Sequence, residues 1–236
     1  MQQQVSHQMM GYDRTSTMFS PDGRLLQVEY AKKTVGLGPS AIGMVCKDGV
    51  LLLADKGFSE KLLVLTSIEK ISKIDEHIAV TSSGISSDGR ILIEKSQLLA
   101  QQHRVTYDTP IDILSLVKDI CNLKQFYTQY GGVRPFGVAL LFAAINDEPD
   151  LYVTGPTGNY FKYKATAIGE FELELKEILD KEYKDGMLCN DGLKLAMKAL
   201  KKVIGKDFDL NRIEAVVIKT AVKKFVKLNS NELTKI

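Results

Sequence analysis

The stretch FGVALLFAAI at residues 136–145 is apolar at nearly every position. A strand with one wet face alternates apolar and polar residues, so this run reads as a strand covered on both faces. Before it, residues 85–104 and 109–130 read as consecutive helices. The second has Thr109 as cap, Pro110 at its first position, Asp112 in its first turn and Gly131-Gly132 as its stop. After it come a turn at 147–150, a short strand at 151–153, the turn Gly155-Pro156-Thr157-Gly158 and a strand at 160–167. Two more helices follow, at 170–182 and 191–204, the latter capped by Asn190 or Asp191, and then strands at 212–220 and 222–228. Towards the front, strands at 41–46 and 50–54 flank Asp48-Gly49, a hairpin signal, and further strands are expected at 62–65, 71–74 and 78–82.

Helices thus arrive in pairs between blocks of strands, not in βαβ alternation. Doubly covered strands with paired helices predict an α+β fold, a four-layer αββα sandwich of two stacked antiparallel sheets flanked by helix pairs. In front of it, residues 1–20 are polar and aperiodic, Pro21-Asp22-Gly23 is a turn, and 24–34 read as a short helix with Leu25, Val28 and Ala31 on one face. So short a helix is marginal alone and must lie against something. We divide the chain into a leader with amino-terminal helix, 1–34, and one sandwich domain, 35–236.

Composition excludes several classes. The 236 residues carry 31 Lys and Arg against 29 Asp and Glu, a net charge of +2, too weak a field to argue for nucleic acid. No apolar run is long enough to span a bilayer, and the first residues lack the blocks of a secretory signal. Cys46, Cys121 and Cys189 form no CxxC pair, so we expect reduced thiols in a cytoplasm. Cys46 and Cys121 sit in apolar segments and read as core fillers.

Candidate chemistry is sparse. Asp55 and Lys56 end a strand and read as a structural pair or as the tuning partners of a nucleophile. Ser40 is near but internal to the chain. His7, His77 and His103 have no metal-ligand spacing and read as surface or helix-end residues, so no metal and no cofactor is expected. The glycine stretches GLGPS, SSGISSDG and YGGVRPFG match no phosphate loop and read as tight turns. The lysines 198, 201, 202 and 206 are offset by Glu177, Asp180, Glu182 and Asp185.

The front of the chain is the informative part. Tyr12-Asp13-Arg14, then the run from Phe19 through Ser20-Pro21-Asp22-Gly23-Arg24 to Leu25, then Gln27-Val28-Glu29-Tyr30-Ala31 resemble the signature of the α-type subunits of the 20S proteasome, most closely the archaeal ones. The resemblance continues through Lys47-Asp48-Gly49-Val50, Ala54-Asp55-Lys56, Ile68-Glu69-Lys70-Ile71, the stretch TQYGGVRPFG at 128–137 and YKATAIG at 163–169. It implies the sandwich of the amino-terminal-nucleophile hydrolases, agreeing with the layers read from element order. It also implies a non-catalytic subunit of a threonine-type endopeptidase complex. Its partners would be neighbouring α subunits in a seven-membered ring, proteasome β subunits, AAA ATPase or other ring activators, and unfolded protein passing the pore.

Mapped onto this sequence, Pro39 falls where catalytic subunits carry their threonine, with Asp55 and Lys70 at the positions of the catalytic aspartate and lysine. A proline has no hydroxyl to attack with, so these become inherited framework. Tyr12, Asp13, Arg14, Pro21 and Tyr30 map to the gate, with residues 1–11 as the moving plug. Lys70 and Gly84 map to a pocket for the carboxyl terminus of an activator, with Gly84 leaving room for the tail and Arg24, Leu25 and Glu29 as interface neighbours. Gly38-Pro39-Ser40 and Ser59-Glu60-Lys61 depart from the usual family pattern. Two other functions stay open on sequence: an active amino-terminal-nucleophile peptidase or amidase, exposed by processing, and a monomeric binding module.

Overall fold

The computed structural model describes residues 11–57, 62–64 and 67–234. Residues 1–10, most of the segment expected to act as a plug, lie outside these, as do Ser59-Glu60-Lys61 and His7. The first helix of the described residues, α1 (Leu26–Val35), is followed by β1 (Ala41–Cys46), β2 (Gly49–Asp55), β3 (Ile71–Asp75) and β4 (Ile78–Gly84). Then come α2 (Ser86–Tyr107), α3 (Ile113–Gln129), β5 (Val138–Ile145), β6 (Pro149–Thr154), β7 (Tyr160–Lys162) and β8 (Ala165–Ile168). The chain continues through α4 (Glu172–Glu182), α5 (Cys189–Ile204), β9 (Ile213–Lys219), β10 (Phe225–Lys227) and a last turn of helix, α6 (Ser230–Leu233).

Among the described residues the strands form two five-stranded sheets, ordered β10-β9-β2-β1-β8 and β3-β4-β5-β6-β7, with every pairing antiparallel. Side-chain alternation builds the layers. On β5, Leu140, Phe142 and Ala144 pack under α2 and α3, while Ala139, Leu141 and Ala143 face the other sheet. On β2, Leu51 and Leu53 pack under α4 and α5, while Val50, Leu52 and Ala54 meet β5 in the middle. Each such leucine stabilises the fold by about 1.5–3 kcal/mol through burial alone. The four-layer sandwich expected from sequence is therefore the observed fold. Among the described residues, no helix is long and apolar enough to cross a membrane.

Several boundaries differ from the sequence reading, each for a physical reason. Thr109 and Pro110 precede α3: its cap is Asp112, whose Oδ2 accepts the Ser115 N–H at 2.9 Å. The residue between, Ile111, is buried and its carbonyl meets Nε2 of His77 at 3.0 Å. His77 is accordingly a core histidine, not a surface one. Neither Asn190 nor Asp191 caps α5, which starts earlier. Asp48 Oδ1 from the β1–β2 turn accepts the Cys189 N–H at 2.8 Å, a cap supplied from across the fold. The hairpin turns on Lys47 and Asp48, because Gly49 already pairs with Cys46. A Cβ on Gly49 would meet the Ile218 carbonyl at 2.3 Å, so this glycine serves sheet packing.

The expected strand at 160–167 is two strands in different sheets, β7 in one and β8 in the other, with the chain crossing at Tyr163-Lys164. The last strand is shortened to Phe225–Lys227 by a turn in which Lys223 takes a positive φ of 51°. Residues 62–64 are not strand, and Leu65 lies outside the described residues.

Candidate functional site

Two neighbouring regions hold the residues that sequence reading singled out. The first is the start of the described leader. Ser20 opens a turn in which its carbonyl accepts the Gly23 N–H at 2.8 Å and its hydroxyl accepts the Arg24 N–H at 3.2 Å. Pro21 sits at the corner of that turn, with its φ fixed for the position. The chain then enters α1, which buries Leu26, Val28, Ala31 and Val35. Leu25 is its half-buried N-cap rather than part of that face.

The flank of α1 between Leu26 and Ala31 holds the leader. Gln27 Nε2 donates to the Asp13 carbonyl at 2.5 Å, and one helical turn later Tyr30 Oη donates to Asp13 Oδ2 at 3.4 Å. Spacing of three residues puts both donors on one helix face. Arg14 lines a groove of about 510 Å³ with residues 15–17, Gln27 and the segment 131–134. Tyr12 is half-buried beside this cluster in sequence. Arg24 and Glu29 form an exposed ion pair at 3.2 Å, and Lys32 approaches Glu29 at 3.4 Å. Burial tends to raise the Glu29 carboxyl, but Arg24 and Lys32 outweigh it and hold it below its ordinary range.

The second region is a groove of about 470 Å³ between the start of α2 and the ends of β2, β3 and β4. Pro39, Lys56, Lys70, Gly84, Ser86 and Arg90 are among its lining residues, so Pro39, Lys70 and Gly84 are brought together. Arg24, Leu25 and Glu29 are outside that lining. Lys70 is anchored through its backbone: its N–H donates to Glu214 Oε2 at 2.8 Å and its carbonyl accepts Thr81 Oγ1 at 2.8 Å. Burial pushes its amine down to about 8, against the pull of the nearby Asp55 carboxylate.

Asp55 is itself buried. Its carboxylate is gripped by Arg212 through Nη2 at 2.7 Å and Nε at 3.1 Å, and it also accepts the Gly57 N–H at 3.0 Å. This is a two-pronged structural ion pair. Its partner went unread in the sequence, although β9 runs beside β2 and places Ile213 opposite Asp55. Pro39 is closed in by Gly57, where a Cβ would stand 2.3 Å from its ring. Ser40 is buried and its hydroxyl accepts the Phe171 N–H at 3.2 Å, which occupies it at the entry to α4.

The family described as Proteasome subunit matches residues 35–218, and the N-terminal signature of the A-type proteasome subunits matches residues 12–33. The proteasome alpha subunit of Pyrococcus abyssi is 49% identical over 225 residues, 95% of this chain and 86% of the relative. That of Archaeoglobus fulgidus is 48% identical over 224 residues, 95% of this chain and 91% of the relative. That of Methanocaldococcus jannaschii is 46% identical over 226 residues, 95% and 86%.

The chain belongs to the proteasome subunits of the α type, archaeal-like. The signature of the α-type family spans the leader's described start and nearly all of α1, the two elements joined through Asp13.

Sequence reading missed a further feature of this α-type chain. The three glycine stretches read as separate turns converge in space. A Cβ on Gly38 would meet the Gly84 nitrogen at 2.2 Å, and one on Gly84 would meet the Gly137 carbonyl at 2.2 Å. Gly84 also has φ +117°, a conformation that favours glycine. Its missing side chain is therefore required by the backbone of Gly137. Among the described residues no cluster of three metal-ligating side chains occurs.

Proposed function

We propose that this chain is a non-catalytic outer-ring subunit that gates entry of unfolded protein to a proteolytic chamber and receives the carboxyl-terminal tails of ring activators. In this reading residues 1–34 are the leader and its helix, and 35–236 are the ring-forming sandwich. Tyr12, Asp13, Arg14, Pro21 and Tyr30 hold the gate. Lys70 and Gly84 form the activator pocket, with Arg24, Leu25 and Glu29 facing the next subunit. Its partners are further α subunits in a seven-membered ring, β subunits and AAA ATPase activators, in a cytoplasm.

The observation that carries the reading is the attachment of Asp13. One leader residue is held through both its carbonyl and its carboxylate by two donors on one face of α1. Such an attachment positions a segment through polar contacts made by the side chains of one helix. Two further features agree with it. Pro39 supplies no hydroxyl at the nucleophile's place, and Ser40 is buried with its hydroxyl engaged. The groove beside them is lined by Lys56, Lys70 and Arg90 together with Glu69 and Glu94; Arg90 is paired with Glu94 at 2.7 Å, so the reading rests on Lys70 as the cation for a terminal carboxylate.

Assembled particles with Lys70→Ser test this. We expect an intact barrel, shown by native mass spectrometry, with activator affinity reduced about tenfold or more, as for loss of one charge-assisted contact. Unchanged affinity in correctly assembled particles would sink the pocket. An amino terminus processed to a Ser, Thr or Cys in the isolated chain would return the hydrolase reading.

A further inference from the structure

The glycine junction joins the two regions, and the contacts around it are directional. The Gly137 carbonyl accepts the Ile85 N–H at 2.9 Å and the Thr34 hydroxyl at 2.7 Å. Thr34 belongs to the last turn of α1, and Ile85 is the cap of α2. The Gly137 N–H donates to Asp88 Oδ2 at 2.9 Å. The same carboxylate takes a fork from Arg134, Nη1 to Oδ2 at 2.6 Å and Nη2 to Oδ1 at 2.7 Å. Burial opposes the charge on Asp88, but Arg134 and the Gly137 N–H overcome it and hold the carboxyl below its ordinary range.

Asp88 lies in the first turn of α2, between Ser86 and Arg90, which line the Lys70 groove. Arg134 lines the other groove, whose walls also include residues 14–17 of the leader and Gln27. The fork therefore has one end in each region. Its carboxylate end is buried, its Arg134 end is 59% exposed, and its two bonds tie the start of α2 to the segment 134–137 in one relative orientation.

We propose that the Asp88–Arg134 fork is the strut through which occupancy of the Lys70 groove reaches the leader. Asp88 and Arg134 are positioning residues. They touch neither substrate nor the activator tail's carboxylate, and act by fixing the leader's seat relative to the groove. The inference rests on the gating reading above. It adds a physical connection between the two regions, which a coupling carried through packed groups requires. Arg134 is suited to this because a planar guanidinium transmits orientation, whereas a lysine ammonium at the same place keeps the charge and loses the fork.

The test uses assembled particles of α and β subunits: wild type, Arg134→Lys, Asp88→Asn, Lys70→Ser and a form lacking residues 1–11. The probe is the eight-residue carboxyl-terminal tail of the ATPase activator, as free acid and as amide. Tail affinity is read by fluorescence anisotropy, and gate opening by hydrolysis of a fluorogenic peptide, with native mass spectrometry confirming assembly. We expect Arg134→Lys and Asp88→Asn to bind the free acid as wild type does. Their stimulation of hydrolysis should fall at least about fivefold, the low end of ordinary couplings between sites. The truncated form should hydrolyse at one rate with or without the tail.

Stimulation of Arg134→Lys equal to wild type overturns the strut, and so does a loss of affinity that accounts for the whole loss of stimulation. If Asp88→Asn fails to assemble, Arg134→Lys alone decides. A wild-type particle that the free acid does not stimulate, or a Lys70→Ser particle that responds normally, strikes the gating reading and takes the strut with it. A responsive wild type, a silent Lys70→Ser and a responsive Arg134→Lys strike the strut alone.

Discussion

At the Lys70 groove three chain segments meet backbone to backbone, whereas the leader hangs from side chains. Gly38, Gly84 and Gly137 approach so closely that no side chain fits at Gly38 or at Gly84. Nearby, Asp55 and Arg212 lock the end of β2 to the start of β9 with both partners mostly buried. At the other region, Asp13 is reached by two donors from one helix, one of them at 3.4 Å, and its neighbours are half-buried or exposed. Close packing stores stability that is lost all at once, while exposed hydrogen bonds open separately from the core. The first construction holds one geometry and the second can open separately, which is the difference that the proposed pocket and the proposed gate call for.

The sharpest way to break this contrast is Gly84→Val. The new side chain would collide with the Gly137 carbonyl, at a φ that only glycine adopts comfortably. Strain and overpacking together should cost about 5 kcal/mol. We expect no soluble folded chain on size-exclusion chromatography, and a normally assembling variant would show that the junction is not tight. Asp55→Ala comes next. It leaves the Arg212 guanidinium, 14% exposed, without its counter-charge. Denaturant unfolding should show a loss of about 3 kcal/mol, and pairing Asp55→Leu with Arg212→Met should recover most of it. A loss in the single variant of less than about 1 kcal/mol would mean the pair is solvated, not structural.

Lys124 belongs to the rigid side and tests it through pH. Its side chain is fully buried, and Nζ donates to the Val138 carbonyl, next to the junction, and to both Thr154 oxygens at 2.8–3.3 Å. Burial pushes its amine down to about 7, with only Cys121 pulling the other way. In the unfolded chain the amine keeps its proton to about pH 10. Between those values the unfolded state binds more protons, so raising the pH stabilises the folded chain. From pH 7 to pH 9 the wild type should gain about 2 kcal/mol over Lys124→Met, read as the difference in unfolding free energy. Lys70 titrates in both forms and cancels. Parallel stability profiles would show that Lys124 keeps an ordinary charge in its cage.

How much of this the sequence disclosed follows from the range of each interaction. The layers were legible because periodicity is local: the run at 136–145 and the paired helices carry their own pattern. The leader was legible because its block is a long, specific signature. What escaped is set by pairing across the fold. Nothing near Asp48 marks it as the cap of α5, and nothing near Asp55 points to Arg212, more than a hundred and fifty positions away. The three glycine stretches looked like turns because a glycine required by a distant carbonyl is indistinguishable, in sequence, from one required by φ. Lys124 could have been found: it falls in the helical spacing of Val117, Ile120, Cys121 and Thr128, on the buried face of α3. Gln27 likewise stands one turn before Tyr30, inside the quoted motif.

The smallest effect is the most discriminating for the leader. Tyr30→Phe deletes one hydroxyl that meets Asp13 Oδ2 at 3.4 Å and leaves the ring in place. The Gln27 bond to the Asp13 carbonyl, at 2.5 Å, remains. Global stability should change by no more than about 0.5 kcal/mol, since the core does not depend on a half-exposed contact. Local opening should respond instead. A hydrogen bond to a charged acceptor is worth about 1 kcal/mol or somewhat more, so amide exchange at residues 13–16 should quicken about fivefold while that of β5 stays fixed. Gln27→Ala should quicken the same amides further, because it frees the backbone itself. If Tyr30→Phe instead lowers the melting temperature and leaves leader exchange unchanged, Tyr30 is a packing residue of α1, and the leader is held by something other than Asp13.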